Sequence, residues 1–277
     1  MTLTRRSFVA GFSAIVPLGM FQQVRGSREL YRIGLETWSF HDVDLDTMLK
    51  HVQALGVRFL ELHDGHLAFT SSAEQMARAR QALSAARIVA TGVYIHDAFT
   101  ESEAVARPIF EYAKTMGYAY INGGPKRESL PLLNRLASEY GIRIAIHNHG
   151  PAARYETLGH VASVLDAYPN LRACIDIGHF ARSGVDPVRA TRVLSPRAVA
   201  IHLKDVDAKG ENIVLGEGTI DLRGVFAAMR DAGFNGLVVL EYEGDFDNMD
   251  TRLAGMRASL VTLRRLISET DPSRSPF

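Results

Sequence analysis

The residues best suited to chemistry in this sequence follow four short apolar runs in the second half of the chain. These runs are IRIAIHNH at 142–149, ACIDIGH at 173–179, AVAIHLKD at 198–205 and LVVLEYE at 237–243. Each run is typical of a buried strand, and each delivers an imidazole or a carboxylate at or just after its end. In a parallel barrel the carboxyl ends of the strands open onto one face, where ligands bind. The pattern therefore predicts one site built from four neighbouring strands.

Four of these side chains predict a site for one divalent cation. They are His147, Asp176, His202 and Glu241, which occupy equivalent places in consecutive units and together offer imidazole nitrogens and carboxylate oxygens. Such a mixed set suits Mn, Zn, Co or Fe, and the ligand types do not choose among these metals. A single histidine or aspartate at a strand end is more often a hydrogen-bonding group. The prediction therefore depends on the recurrence in four successive units.

Polar side chains in the same segments are candidates for moving protons. A metal-assisted reaction that moves a proton needs a general acid or base within reach of the metal site. The candidate bases are Glu241, His149 and His179. Lys204 could stabilise the developing negative charge, although a lysine at a barrel rim is often merely solvated.

The ends of the first three predicted strands carry a second group of polar and aromatic residues. This group comprises Glu36, Trp38, Glu61, His63 and His96. Its members could hydrogen-bond a polar ligand or form an apolar wall of the site, and Trp38 is equally compatible with packing.

The elements that must position these residues alternate short apolar runs with longer helical patterns. The predicted strands are 32–36, 57–62, 88–95, 118–122, 142–146, 171–175, 198–203 and 237–240. The predicted helices are 45–55, 72–86, 101–116, 129–140, 157–167, 187–194, 222–232 and 249–267. Eight such units in about 240 residues match a single α/β domain of the closed (β/α)8 TIM barrel type, placed at 27–270. A doubly wound sheet would need a glycine-rich phosphate turn, and GLETWSF at 34–40 offers none.

Composition excludes several classes of function. The sequence has 31 basic and 31 acidic residues, so its formal net charge is zero. It therefore exerts no general attraction on nucleic acids or anionic membranes, and neither is expected as a partner. Cys174 is the single cysteine, which excludes an intrachain disulfide and a thiolate metal cluster. Its position inside an apolar run predicts an inert, packed thiol.

The amino-terminal residues resemble a twin-arginine export signal. TRRSF at 4–8 leads into an apolar stretch at 8–21 that is too short to span a bilayer comfortably. We therefore set residues 1–26 apart from the fold and expect export, with a periplasmic location. A frayed basic tail and an uncleaved anchor stay open as alternatives. The segment 271–277, rich in serine and proline, is expected to be a disordered tail.

Five segments together resemble the sugar phosphate isomerase/epimerase superfamily of xylose isomerase-like TIM barrels. They are AIHNHG, CIDIGH, AIHLKD, LGEGTIDL at 215–222 and VVLEYEG. The resemblance implies a metal bound by glutamate, aspartate, histidine and glutamate on the last four strands. Carried over by motif, these ligands fall on His147, Asp176, His202 and Glu241. His147 departs from the epimerase glutamate and is similar to the HNH-bearing branch.

The resemblance implies an isomerase or epimerase that acts on a small sugar or keto-sugar through an enediolate-type intermediate. In the epimerases two glutamates move protons on opposite faces of the substrate, a role that a metal-bound imidazole at His147 does not easily fill. A lyase or hydrolase of keto-glycosides, or an inosose-type dehydratase, is the close alternative, favoured by export and by His147. The substrate in each case is a small carbohydrate.

Two further classes are less well supported. A nuclease similar to the apurinic endonuclease needs a trinuclear zinc site, with an Asp-x-His pair before LGEG, where this sequence has Gly210, Glu211 and Asn212. A non-catalytic sugar-binding barrel predicts affinity without turnover, and the retention of four apparent metal ligands argues against it.

Overall fold

Eight parallel strands close into a barrel in the computed structural model, which describes residues 30–95, 99 and 101–270. The barrel strands are β1 Arg32–Glu36, β2 Phe59–His63, β3 Val89–Tyr94, β4 Tyr120–Gly123, β5 Arg143–His147, β6 Leu171–Asp176, β7 Ala198–Leu203 and β10 Leu237–Leu240. The ring closes between β1 and β10, where Ile33 lies opposite Val238. The predicted α/β barrel is thereby confirmed.

Helices follow the strands and cover the outside of the barrel. They are α1 Leu45–Ala54, α2 Ala73–Ala85, α3 Glu103–Met116, α4 Leu130–Tyr140, α5 Leu158–Ala167, α6 Ile177–Arg182, α7 Pro187–Leu194, α8 Leu222–Asp231 and α9 Met249–Thr270. Every predicted strand and helix is present, with boundaries displaced by three residues at most. The short helix α6 was not predicted, because a single turn and a half carries too little periodicity to be distinguished from a loop.

The described residues also include local structure at the mouth that the sequence did not predict. A 3-10 turn, Thr37–Phe40, follows β1, and β8 Asp205–Val206 pairs antiparallel with β9 Asn212–Ile213. Two-residue strands and single turns leave no hydrophobic period to read. Both features hold side chains near the strand ends.

The barrel interior has an apolar floor beneath a polar layer. Inward positions alternate along each strand, so Cys174 lies one layer below Asp176 and Ala200 one layer below His202. Cys174 is buried, and its desolvation raises the pKa of the thiol to about 12, as expected of a packed thiol. A Cβ on Gly92 would lie 2.4 Å from ring atoms of Tyr120, so glycine there lets the tyrosine fill the floor.

Several sequence predictions fall outside the described residues. These are the export segment at 1–26, the tail at 271–277 and the predicted substrate-binding residue His96. Among the helices that the structure does describe, none combines the length and the apolar character needed to cross a membrane.

The Asp205 carboxylate anchors the LGEG loop, because backbone amides from both the loop and β8 point at it. Its Oδ2 accepts from the amides of Gly216 at 2.8 Å and Gly218 at 3.1 Å. Its Oδ1 accepts from Val206 at 3.0 Å and Ile220 at 3.3 Å. A Cβ on Gly218 would lie 2.1 Å from Oδ1, so the loop can wrap this closely only with glycine there. The HLKD and LGEG segments therefore form one structural unit that Asp205 holds together.

Asp205→Ala should lower the free energy of unfolding by about 3 kcal/mol, because four backbone donors lose their common acceptor in a buried setting. Urea unfolding followed by circular dichroism measures the change. The matched control is Asp166→Ala, since that carboxylate lies on α5 with 84% of its side chain exposed. A loss below about 1 kcal/mol for Asp205→Ala, equal to that of an ordinary surface change, would contradict the anchoring role.

Candidate metal centre

A cavity of about 360 Å³ opens at the carboxyl ends of the strands. Its lining combines imidazoles, carboxylates and aromatic rings. The lining residues are Glu36, Trp38, His63, Tyr94, His147, His149, His179, Arg182, His202, Asn212, Glu241, Glu243 and Phe246. The cavity therefore lies at the strand ends, where the sequence predicted the site.

The four predicted ligands converge at the floor of this cavity. One donor atom from each of His147, Asp176, His202 and Glu241 lies within 4.8 Å of the others, and all four residues are buried. His202 Nδ1 lies 2.7 Å from Glu241 Oε2 and 3.9 Å from Asp176 Oδ2. His147 Nε2 lies 3.6 Å from Asp176 Oδ2. Side chains from four adjacent strands are thus close enough to share one ion.

One atom of this set has no hydrogen-bond partner in the described chain, and a second has only an ion pair. His147 Nε2 is buried without a hydrogen-bond partner among the described residues, and the buried Asp176 Oδ2 makes no hydrogen bond there but lies 3.2 Å from the Lys204 ammonium. Leaving buried polar atoms unpaired costs free energy, and a cation between them would remove that cost. Two imidazoles and two carboxylates also match the donors that divalent transition metals prefer. The residues present therefore fit a divalent metal ion.

Local backbone structure aims Asp176 at the site. Its Oδ1 accepts from the His179 amide at 2.7 Å and so caps the first turn of α6. The Asn148 side chain accepts from the Asp176 amide and donates to its carbonyl, both at 2.8 Å. Asn148 thus faces the neighbouring strand β6. With Oδ1 occupied by the helix, only Oδ2 is presented to the floor of the cavity.

Lys204 lies beneath the cavity floor among acidic groups. Its Nζ is 3.2 Å from Asp176 Oδ2, 3.0 Å from Glu241 Oε1 and 2.8 Å from Glu243 Oε1. Burial alone lowers the pKa of Lys204, but the carboxylates of Asp176, Glu241 and Glu243 outweigh it and hold the pKa well above its usual value. The side chain is therefore a buried ammonium and not a solvated rim lysine.

His149 and His179 form a pair of rings next to Lys204. Their centroids are 3.9 Å apart, with His179 buried and His149 exposed at the mouth. Lys204 Nζ lies 3.2 Å from His179 Nε2. Burial lowers the pKa of His179 to about 2, with Asp176 opposing the shift, so the ring is neutral and can accept a hydrogen bond from Lys204.

Glu36 and Glu61, both predicted to contact substrate, occupy different environments. Glu36 lines the cavity; its Oε2 accepts from the Trp38 amide at 2.5 Å, and its buried Oε1 has no hydrogen-bond partner among the described residues. Burial, together with Glu241 and Glu61, raises the pKa of Glu36 well above its usual value. Glu61 is fully buried and is not part of the lining. Its Oε1 is engaged by His202 and Asn122, its buried Oε2 has no hydrogen-bond partner among the described residues, and its contact with substrate stays a prediction.

An aromatic wall faces the metal centre from the β1 to β3 side. Trp38 stacks on His41 with centroids 4.4 Å apart and lies 4.9 Å from His63. His63 in turn stacks on Tyr94 at 5.5 Å, and Phe246 completes the lining from beyond β10. Trp38 and His63 therefore contribute ring surfaces to the cavity lining, and their contact with a substrate stays a prediction.

Buried Arg252 connects the two loops that carry this wall. Its Nη1 donates to Asp42 Oδ1 at 2.6 Å and to the Ser39 carbonyl at 3.3 Å. Its Nη2 donates to the Phe246 carbonyl, and its guanidinium carbon lies 5.0 Å from the Phe246 ring centroid. The 3-10 turn after β1 and the loop after β10 are therefore held together from within α9.

Sequence reasoning missed four residues of the lining. Tyr94 is an inward position of β3, two residues after Gly92, and strand alternation could have found it. Arg182, Asn212 and Phe246 lie on α6, β9 and a loop, where no period marks them. Two of them are held at the site by hydrogen bonds: Arg182 Nε donates to the Gly210 carbonyl at 2.9 Å, and Asn212 Nδ2 donates to Glu243 Oε2 at 2.6 Å.

A family model described as "Xylose isomerase-like TIM barrel" matches residues 49–266, which is most of the chain. The chain belongs to the xylose isomerase-like TIM barrel family. Among curated members, it is 30% identical over 166 residues to an inosose dehydratase from Klebsiella pneumoniae. That match covers 52% of this chain and 53% of the relative, so the chain spans about half the length of the curated relative it matches.

Solved structures of xylose isomerase-like barrels share the fold at low sequence identity. The IOLI protein with a binding zinc atom has a TM-score of 0.71 at 16% identity, and the match covers 87% of this chain and 99% of that one. A D-psicose 3-epimerase in the presence of D-fructose has a TM-score of 0.72 at 15% identity, covering 85% and 99% of the two chains. At these identities the likeness shows a common barrel and no more.

Proposed function

We propose that this protein is a metal-dependent carbon–oxygen lyase that eliminates water or an alcohol from a small polyhydroxylated ketone. The sequence alone favoured an isomerase or epimerase and kept elimination as the alternative. The arrangement around Lys204 and the curated relatives named inosose dehydratase support elimination as the main function instead.

The observation that carries the proposal is a continuous line of proton-bearing groups below the cavity. Lys204 Nζ lies 3.0 Å from Glu241 Oε1 on one side and 3.2 Å from His179 Nε2 on the other. Glu241 and His179 both line the cavity, whereas Lys204 is covered by them. A carboxylate, an ammonium and a neutral imidazole in this order can pass a proton from one part of a bound substrate to another.

Elimination requires such a transfer, because it moves one proton from carbon to oxygen. Glu241 takes the proton from the carbon beside the carbonyl, and the bond between the next carbon and its oxygen breaks as the double bond forms. His179 Nδ1 gives a proton to the departing oxygen, and His179 Nε2 receives a proton from Lys204. Glu241 then reprotonates Lys204 with the proton it took from carbon. The atoms balance: the ketone yields an unsaturated ketone plus water or an alcohol, and Glu241 and Lys204 return to their starting charges. His179 ends with its proton on Nε2 instead of Nδ1, and exchange with solvent restores the starting tautomer before the next turnover.

His147 makes the same residues less suited to epimerisation. Inverting a carbon centre takes two proton-transfer groups on opposite faces of the substrate. His147 Nε2 points at Asp176 Oδ2, so an ion held there would occupy the nitrogen that a base would use. A divalent cation held by His147, Asp176, His202 and Glu241 would supply polarisation of the ketone oxygen and stabilisation of the enolate charge.

The rest of the lining supports a carbohydrate substrate. Glu36 Oε1 is a buried oxygen at the cavity wall with no hydrogen-bond partner in the described chain, and it is suited to a substrate hydroxyl. Trp38, Tyr94 and Phe246 add ring surfaces to the same cavity, which suits the C–H face of a sugar or cyclitol. The leaving group can therefore be water from a free cyclic ketone or the alcohol of a keto-glycoside.

The test is to incubate the protein, reconstituted with Mn, Co or Zn, with inososes and 3-keto-glycosides in D₂O. We expect an unsaturated ketone whose mass is lower by one water, or release of the aglycone, and we expect EDTA to stop the reaction. A product that keeps all the heavy atoms of the substrate, and is heavier only by the solvent deuterium it carries, would overturn elimination in favour of isomerisation. Trp38 is the single tryptophan, so its fluorescence reports ligand binding separately from turnover. Binding with no turnover for any metal would support the non-catalytic alternative.

A further inference from the structure

Glu61 reaches across the barrel interior to His202, although their strands are not neighbours. β2 and β7 are separated by β1 and β10 in the closed ring. Glu61 Oε1 lies 2.9 Å from His202 Nε2, and both residues are almost completely buried. The contact therefore spans the polar layer of the barrel rather than a strand pair.

A second residue holds the Glu61 carboxylate in this position. Asn122 Nδ2, on β4, donates to the same Oε1 at 2.7 Å. The Glu61 side chain is thus fixed from two directions, by Asn122 and by His202. Among the hydrogen bonds of the described residues, the Glu61 side chain reaches the cavity lining only through His202.

The contact decides which His202 nitrogen faces the other three ligands. With Nε2 directed at Glu61, Nδ1 is the nitrogen that lies 2.7 Å from Glu241 Oε2 and 3.9 Å from Asp176 Oδ2. An imidazole that ligates a metal through one nitrogen carries its proton on the other, and an outer carboxylate that accepts this proton in a hydrogen bond fixes both the tautomer and the ring plane.

We infer that Glu61 is a positioning residue for the metal centre: it holds the His202 ring with Nε2–H toward itself and Nδ1 toward the ion. This inference rests on the proposed function, because it requires that the four-residue set bind a metal. It is separate from the substrate contact predicted for Glu61 from the sequence.

The test measures metal affinity without any substrate. Purified full-length protein is stripped of metal, and Co²⁺ or Zn²⁺ binding is measured by competition with a chromophoric chelator. Glu61→Gln keeps an acceptor but loses the charge, and we expect affinity to fall about tenfold; Glu61→Leu leaves Nε2 without an acceptor, and we expect a fall of about a hundredfold. Glu101→Gln, an exposed carboxylate, is the matched control and should bind as the wild type does.

Spectra separate positioning from a purely structural role. The ¹⁵N spectrum of histidine-labelled protein should show the His202 Nε2 resonance shifted in Glu61→Gln, and the Co²⁺ absorption bands should change shape. Thermal unfolding of the stripped variants identifies loss of fold, and Glu61→Asp provides a second variant if Glu61→Leu does not fold. Wild-type affinity in both Glu61→Gln and Glu61→Asp, with unchanged Co²⁺ bands, would overturn the inference. Absence of metal binding by the wild type would instead overturn the proposed function.

Discussion

Asp176→Asn should abolish tight metal binding and lower turnover by at least about 10³-fold, with little loss of fold. The asparagine keeps the Oδ1 acceptor that caps α6, so the helix start and the contact with Asn148 stay in place. It removes the negative charge at Oδ2, the atom that lies 3.6 Å from His147 Nε2 and 3.9 Å from His202 Nδ1. Metal content after dialysis and the steady-state rate measure the two effects.

Asp166→Asn is the matched control, because it makes the same chemical change on an exposed residue of α5. It should retain full metal content and activity. Thermal unfolding of both variants shows whether a loss is local. Full metal occupancy in Asp176→Asn would contradict the four-residue site, whether or not the variant is active. In that case a second ligand variant, His202→Ala, should also keep its metal.

The ligands could be predicted from the sequence because they repeat a one-dimensional pattern. Asp176 and His202 stand at the ends of apolar runs, and parallel strands in a barrel bring such ends to one face. In the structure Asp176 and His202 are register partners on β6 and β7. The fold could be predicted for the same reason, because the alternation of apolar runs and helical patterns specifies each βα unit locally. Export by the twin-arginine route stays a prediction, because its residues lie outside the described chain.

The environment of each side chain could not be predicted in the same way. Glu61 and His63 both point inward on β2, but the depth of each depends on strand register, and the β2–β3 pairing shifts between Leu60 and Glu61. This shift in register depends on how the strands pack together, and no local sequence pattern indicates it. Lys204 gave a similar difficulty: its sequence context allows solvent exposure, whereas α6 and Gly178 cover it in the folded barrel. In the folded barrel Lys204 is therefore a buried ammonium beside the carboxylates of Asp176 and Glu241.

Lys204→Met should therefore change two properties in opposite directions. Turnover should fall by about 10²- to 10⁴-fold, because methionine cannot carry a proton between Glu241 and His179. Metal affinity should rise by roughly tenfold, because the ammonium lies 3.2 Å from Asp176 Oδ2 and 3.0 Å from Glu241 Oε1 and competes with a metal ion for these carboxylates. A role that was only structural would lower both quantities together.

Two further variants make this prediction specific. Lys204→Arg keeps the positive charge but resists deprotonation, so it should bind metal about as the wild type does while losing most of the turnover. Lys50→Met, on the exposed face of α1, makes the same change as Lys204→Met away from the site and should alter neither quantity. If Lys204→Met retained turnover within about threefold of the wild type, the proton path through Lys204 would be wrong, since general acid–base groups contribute far more than that. Elimination would then need another donor for the leaving oxygen, and His149, exposed beside His179, is the group on the lining placed to supply it.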